Sequence, residues 1–178
     1  MRGICVFCGA SPGYDPAYAL AAGALGRELA SRSIELVTGG GKVGLMGVVA
    51  DAALGAGGRV TGVIPRSLEE REVAHRGLTT LHVVETLHER KALMHESSDA
   101  FIALPGGFGT LDELFETITW AQLGLHAKPI GLVNVSGYFD DLLAFVDGAT
   151  VQGFVSEVNR ELVTVRPDVA TLLDAFVR

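Results

Sequence analysis

The sequence predicts an α/β protein: a Rossmann-like parallel sheet with helices on both faces, three layers in a single domain over residues 1–178. Three observations carry this prediction. Short β-branched runs alternate with helix-length stretches, the pattern of right-handed βαβ units. The strand candidates are almost wholly apolar, as parallel strands covered on both faces must be. Glycine-bearing segments follow three of those strands, where open α/β sheets bind their ligands.

In chain order, strands are predicted at 3–7, 34–38, 59–64, 79–84, 100–104 and 130–135, with a weaker one at 161–165. Helices are predicted at 15–31, 43–56, 87–97, 111–123, 138–150 and 167–177. The longest irregular stretch, 65–78, contains Leu68-Glu69-Glu70-Arg71-Glu72. That run reads either as a solvated helical turn or as a loop over the C-terminal edge of the sheet. There is no internal repeat, low-complexity tract or linker.

Composition narrows the function classes. A chain of 178 residues suits one domain, and a domain of this size buries roughly 70% of its unfolded surface without a disulfide or metal staple. Charged residues make up 20% of the chain, and 23 residues are glycine. Scarce charge of this kind suggests extensive buried surface, an oligomer interface included. The net charge of −7 argues against a nucleic-acid or anionic-membrane partner, because both need a broad basic surface. An anionic small ligand needs only local positive potential. Cys5 and Cys8 form a C-x-x-C pair inside an apolar strand candidate. A redox pair belongs at a helix N-terminus, so these read as reduced thiols. Met1-Arg2-Gly3 leads straight into a strand, and no apolar run approaches the ~20 residues of a membrane span. A cytoplasmic location is expected.

The glycine segments are Cys8-Gly9-Ala10-Ser11-Pro12-Gly13, Thr38-Gly39-Gly40-Gly41-Lys42-Val43-Gly44-Leu45-Met46-Gly47, and Leu104-Pro105-Gly106-Gly107-Phe108-Gly109-Thr110. All follow parallel strands, so all should lie on one edge. Glycine there lets backbone N–H groups approach a ligand, and a following helix N-terminus adds positive potential. Gly39-x-Gly41-x-x-Gly44 matches the dinucleotide fingerprint in form. It follows the second strand, however, and Arg59 and Val60 stand where a ribose-binding carboxylate would be needed. Lys42 is followed by Val43 rather than Ser or Thr, so the P-loop pattern fails too.

Two charged segments complete the pattern. Thr86-Leu87-His88-Glu89 reads as a capping box, which puts Arg90 and Lys91 at the positive end of a helix. Helical spacing sets Leu87, Arg90, Lys91 and Met94 on one side. Two cations there call for an anion, against the simpler reading that both snorkel to water. Thr110-Leu111-Asp112-Glu113 reads as a second capping box. On its helix Leu111, Leu114, Phe115, Ile118 and Gln122 are expected to face the sheet. Glu113, Glu116, Thr117 and Trp120 are expected to face outward, with Trp120 covered by another subunit. A carboxylate at the rim of an anion cradle suits stabilisation of positive charge at a sugar C1′ as its base departs. The same set would also suit mere binding. The five histidines show no metal spacing with a second ligand pair.

Leu87-His88-Glu89-Arg90-Lys91, then a strand, then Pro105-Gly106-Gly107-Phe108-Gly109-Thr110-Leu111-Asp112-Glu113, resembles the LONELY GUY family of cytokinin riboside 5′-monophosphate phosphoribohydrolases. Cys8-Gly9-Ala10-Ser11, Gly39-Gly40-Gly41, Ile118 to Gly124 and Lys128-Pro129 extend the likeness over nearly the whole chain. The resemblance implies a Rossmann-like homodimer, or a larger assembly. It implies hydrolysis of an N6-modified adenosine monophosphate, or of AMP, to free base and ribose 5-phosphate, with no cofactor and no metal. The family's catalytic pair falls on Arg90 and Glu113. Its substrate contacts fall on Glu72, Arg90, Lys91, Gly107, Phe108, Gly109, Thr110, Leu111, Asp112, Glu113 and Thr119. Phe108 stands where a tyrosine is usual, Asp112 where glutamate is frequent, and Leu87 where methionine is common. A non-catalytic nucleotide sensor with the same cradle is the alternative. The lysine decarboxylase label often given to such chains is disfavoured, because Lys42, Lys91 and Lys128 leave little choice of a Schiff-base lysine.

Overall fold

Apolar β-branched runs covered on both faces assemble into one parallel sheet of seven strands in a computed structural model that describes residues 1–69 and 73–176. The strands are β1 (Gly3–Phe7), β2 (Glu35–Thr38), β3 (Val60–Pro65), β4 (Thr80–Val84), β5 (Ala100–Ala103), β6 (Ile130–Val133) and β7 (Val163–Arg166). Their order is β4-β3-β2-β1-β5-β6-β7, every neighbouring pair parallel. The helices are α1 (Pro16–Ser31), α2 (Gly44–Gly55), α3 (Leu87–Glu96), α4 (Phe108–Gln122), α5 (Asp140–Val151), α6 (Glu157–Arg160) and α7 (Val169–Phe176).

The period-two alternation of each strand divides the core in two. Ile4 and Val6 of β1 pack with Leu25 and Leu29 of α1, Val49 of α2 and Leu172 of α7 on one face. Cys5 and Phe7 pack with Met94 of α3, Leu114 of α4 and Phe139 on the other. β1 is therefore buried throughout. β4 is an edge strand and half exposed, unlike the uniformly buried strands expected from the sequence.

The chain leaves β1 toward β2 on one side, whereas β5 pairs with β1 on the other. The strand order reverses between β1 and β5, and this switch point opens a crevice beyond the carboxyl ends of the strands. All three glycine segments reach it.

Two local expectations are corrected. The helix carrying Glu113 starts at Phe108, three residues before the expected 111, with Gly107 as its N-cap and no side-chain cap. Thr110 therefore lies inside the first turn, and the second capping box does not form. The inward face of α4 also differs. Thr110, Leu114 and Thr117 are buried, one residue every three or four. Phe115, expected inside, is 40% exposed. Trp120 is partly buried within its own chain, where its indole packs on the His95 ring with centroids 4.5 Å apart. Turns at Arg66–Leu68 and Val135–Gly137 and the short α6 were not legible as helical.

Candidate active site

The crevice at the switch point is a cleft of about 420 Å³, within the usual range for small-molecule sites. One wall is the Gly9–Gly13 loop after β1, and the opposite wall is Pro105–Gly107 with the first turn of α4. Thr38 and Gly39 at the end of β2, with Arg90 of α3, close one end. Tyr18 and Tyr138 close the other, ring centroids 5.5 Å apart and edge to face. The Tyr138 hydroxyl donates to the Gly106 carbonyl at 2.6 Å, fixing the start of the α4 wall.

The two helix N-termini at the cleft have different uses. At α2, the amides of Leu45 and Met46 donate to the Gly9 carbonyl, at 2.9 and 3.4 Å. That end is occupied by the protein's own backbone and braces the opposite wall. At α4 the glycine N-cap offers no side-chain oxygen. The amides of Gly107, Phe108, Gly109 and Thr110 find no acceptor among the described residues. Four N–H groups at the positive end of a 15-residue helix have the chemistry to receive an anion. The loss of the expected capping box is what leaves them open.

Arg90 is only 6% exposed, and its Nη2 donates to the Gly39 carbonyl at 2.9 Å. A Cβ on Gly39 would collide with the Arg90 guanidinium, so this close approach requires glycine. Glu113, from the second turn of α4, lines the same cleft. Thr117, one turn on, donates to the Glu113 carbonyl at 2.8 Å, and His95 Nε2 lies 2.9 Å from the Thr117 hydroxyl. The Thr117 proton is committed to that carbonyl, so His95 Nε2–H is the donor. α3, which carries Arg90, is thereby stapled to α4, which carries Glu113.

The structure thus brings Arg90, Gly107, Gly109, Thr110 and Glu113 together in the cleft. The other sequence-derived positions lie elsewhere. Lys91 turns to α4, with its Nζ 3.1 Å from Asp112 and 3.0 Å from Glu116. Burial works against its ammonium, but the bonds to Glu116 and Asp112 outweigh it and hold the pKa above the ordinary lysine value. Phe108 projects into solvent at 93% exposure. Leu111 packs at the margin of the second core. Thr119 is exposed and donates to the Phe115 carbonyl at 2.7 Å. Glu72 lies outside the described residues.

Sequence reasoning missed Thr38, Tyr18 and Tyr138. Thr38 is fully buried and its hydroxyl, like that of buried Thr110, has no hydrogen-bond partner among the described residues. Both line the cleft. Buried hydroxyls are normally satisfied, so both point to a ligand or ordered water. The position of Thr38, last in a strand and directly before three glycines, was the available signal. No local pattern marks Tyr18 or Tyr138. The Thr86 box is partly as expected: Thr86 Oγ1 accepts from the Glu89 amide at 3.1 Å, but Glu89 reaches back to the amide of Glu85.

Cys5 and Cys8 are free and buried. Burial and the nearby Glu113 carboxylate push both thiols well above their ordinary range, which disfavours the nucleophilic thiolate. Among the described residues, no group of three or more His, Cys, Asp or Glu side chains is placed to hold a metal.

Fold and cleft together define a Rossmann-like α/β protein with a glycine-lined cleft at its topological switch point. Residues 46–176 match the sequence profile of the family described as "Possible lysine decarboxylase". The chain is 53% identical over 172 residues to a "Probable cytokinin riboside 5'-monophosphate phosphoribohydrolase" of Oryza sativa subsp. japonica, covering 97% of this chain and 70% of that protein. It is 51% identical over 172 residues to a "Cytokinin riboside 5'-monophosphate phosphoribohydrolase" of Arabidopsis thaliana, covering 97% and 80%. The chain belongs to the LONELY GUY family of phosphoribohydrolases. The molybdenum cofactor carrier protein of Chlamydomonas reinhardtii shares the fold, with a TM-score of 0.74 at 24% identity over 98% of this chain and 94% of its own.

Proposed function

We propose that this chain hydrolyses the N-glycosidic bond of a nucleoside 5′-monophosphate with an adenine-type base, N6-modified or plain, releasing the base and ribose 5-phosphate. The observation that carries this reading is one cleft holding the unfilled α4 amides, the Arg90 guanidinium and the Glu113 carboxylate. The 5′-phosphate sits on the amides of Gly107 to Thr110. Glu113 stabilises positive charge at C1′ and orients the attacking water. The C1′–N9 bond breaks with its electron pair leaving on the base, and the water oxygen bonds to C1′. The water's proton passes through Glu113 to the departing base. Arg90 supplies the fixed positive charge for an anionic oxygen or for the base nitrogen that gains electron density.

A decarboxylase reading finds no support in the lysines. Lys42 is exposed, Lys91 is held by Asp112 and Glu116, and Lys128 Nζ donates to the His95 carbonyl at 2.6 Å. None of them lines the cleft.

A homodimer is part of the reading. Phe115, Leu123 and Leu125 are all 40% exposed or more, along the outer side of α4 and just beyond its end. Among the described residues, no helix is long and apolar enough to cross a membrane. The net charge of −7 supports an enzyme without a nucleic-acid partner, and a cytoplasmic location is part of the proposal.

The test is product analysis by chromatography after incubation with AMP and with isopentenyladenosine monophosphate, alongside the matching riboside and Arg90→Ala. Free base from the monophosphates, absent with the riboside and with Arg90→Ala, is the expected result. The ratio of the two rates names the preferred base. Tight nucleotide binding without free base would make the chain a sensor and overturn the reading.

A further inference from the structure

Asp51 and His75 lie outside the cleft, yet they are joined to it through the backbone. His75 is 4% exposed. Its Nδ1 accepts from the Gly77 amide at 3.2 Å, so the ring proton sits on Nε2, which donates to Asp51 Oδ1 at 2.8 Å. Asp51 is on α2, and its own side chain is 60% exposed. His75 also donates its backbone N–H to the Gly40 carbonyl at 2.8 Å. Lys42 donates to the Val73 carbonyl at 2.9 Å, and Gly41 pairs with Ala74 in an isolated antiparallel bridge.

Three consecutive glycines do not hold one conformation by themselves, because their backbone entropy is the largest of any residue. Gly40 sits at φ +79°, in the left-handed region. The 73–77 segment is the template against which this loop is ordered, and Asp51 anchors that template to α2 through the His75 ring. The neighbouring Gly39 carbonyl receives the Arg90 guanidinium. Its peptide plane is set by β2 on one side and by the His75 anchor on the other.

We propose that Asp51 and His75 are a positioning pair that orients Arg90 for the reaction through the Gly39–Lys42 backbone. This rests on the reading of Arg90 as a catalytic residue. The pair touches no substrate and leaves the α4 amides untouched. Its loss therefore acts on turnover more than on capture of the phosphate.

The test compares wild type with Asp51→Ala, which removes the acceptor from an exposed position, and Asp51→Asn, whose amide oxygen still accepts from Nε2–H. Hydrogen exchange of the Lys42 and His75 amides is measured together with the thermal midpoint and with kcat and KM on whichever of AMP and isopentenyladenosine monophosphate the wild type turns over faster. In Asp51→Ala, protection of those two amides falls about tenfold or more while the fold persists. Its kcat falls about tenfold to a hundredfold, as misplacing a catalytic group by a fraction of an ångström to an ångström does, with KM little changed. Asp51→Asn restores both. Unchanged protection in Asp51→Ala overturns the proposal, and so does lost protection with an unchanged kcat. Equal losses of kcat and midpoint in both variants would make the pair merely structural. A wild-type chain that binds AMP and isopentenyladenosine monophosphate without turning over either would sink the reading of Arg90 as catalytic and this role with it, whereas the anchoring of the loop is decided by exchange alone.

Discussion

Arg90 of α3 and Glu113 of α4 line one cleft with the open amides at the start of α4, and the chemistry turns on single atoms there. Glu113→Gln keeps size and hydrogen bonding but removes the negative charge. It should lower kcat by about 10²–10⁴-fold while the circular dichroism spectrum and unfolding midpoint stay in place. Retention of most turnover would reject the assignment. Gly39→Ala should be nearly as damaging, because the new Cβ drives the Arg90 guanidinium off its carbonyl. Steady-state kinetics showing wild-type turnover in that variant would mean that Arg90 is not needed in its observed place. Thr38→Val separates stability from function. Replacing an unpartnered buried hydroxyl with an isosteric methyl should raise stability. A lost ligand contact of about 1 kcal/mol should at the same time lower kcat/KM roughly fivefold. Unfolding curves and kinetics on the same preparation read both, and an unchanged kcat/KM would exclude a ligand role for this hydroxyl.

At the scale of elements, the junction of α3 and α4 matters most. His95 is held at a pKa of about 4, below its usual 6.5, first by burial and then by the nearby charges of His126, Lys128 and Lys91. The folded state keeps the ring neutral, whereas the unfolded chain takes up a proton as the pH falls below 6.5. His95 therefore draws stability down from pH 6.5 to about 4 and adds nothing further below that. His95→Gln, which retains a donor for Thr117, should flatten this part of the stability profile in denaturant titrations. An identical slope in the two proteins would show that His95 is not the titrating group. The start of α4 shows why element boundaries were harder to read than elements. Thr110 and Glu113 have the spacing of a capping box, but the chain emerging from β5 is already helical at Phe108. Tertiary placement of Thr110 in the cleft took precedence over local capping.

At the scale of the whole molecule, the outer side of α4 leaves Phe115, Leu123 and Leu125 in contact with water. Light scattering after size exclusion should give twice the mass of an 18.7 kDa chain, and a monomer would remove the homodimer from the proposed function. Assembly would bury apolar surface at a typical gain of about 25 cal/mol per Å².

The alternation of short apolar runs and helical stretches was enough to determine the parallel sheet, its two covered faces and the edge at which the glycine segments gather. Those features follow from local periodicity and from the handedness of βαβ connections, both written along the chain. Arg90 and Glu113 were legible as charged groups beside glycine loops. Their meeting in one cleft depended on the reversal of strand order between β1 and β5, a non-local event. Only the tertiary structure showed that Lys91 turns to Asp112 and Glu116 rather than into the cleft, and that the α2 amides are taken by Gly9 while those of α4 are not. It alone set Thr38 facing the ligand space and His75 against Asp51. The physical reason is the same in each case. A hydrogen bond or ion pair between residues distant in sequence depends on how the helices pack on the sheet, and no local pattern encodes that.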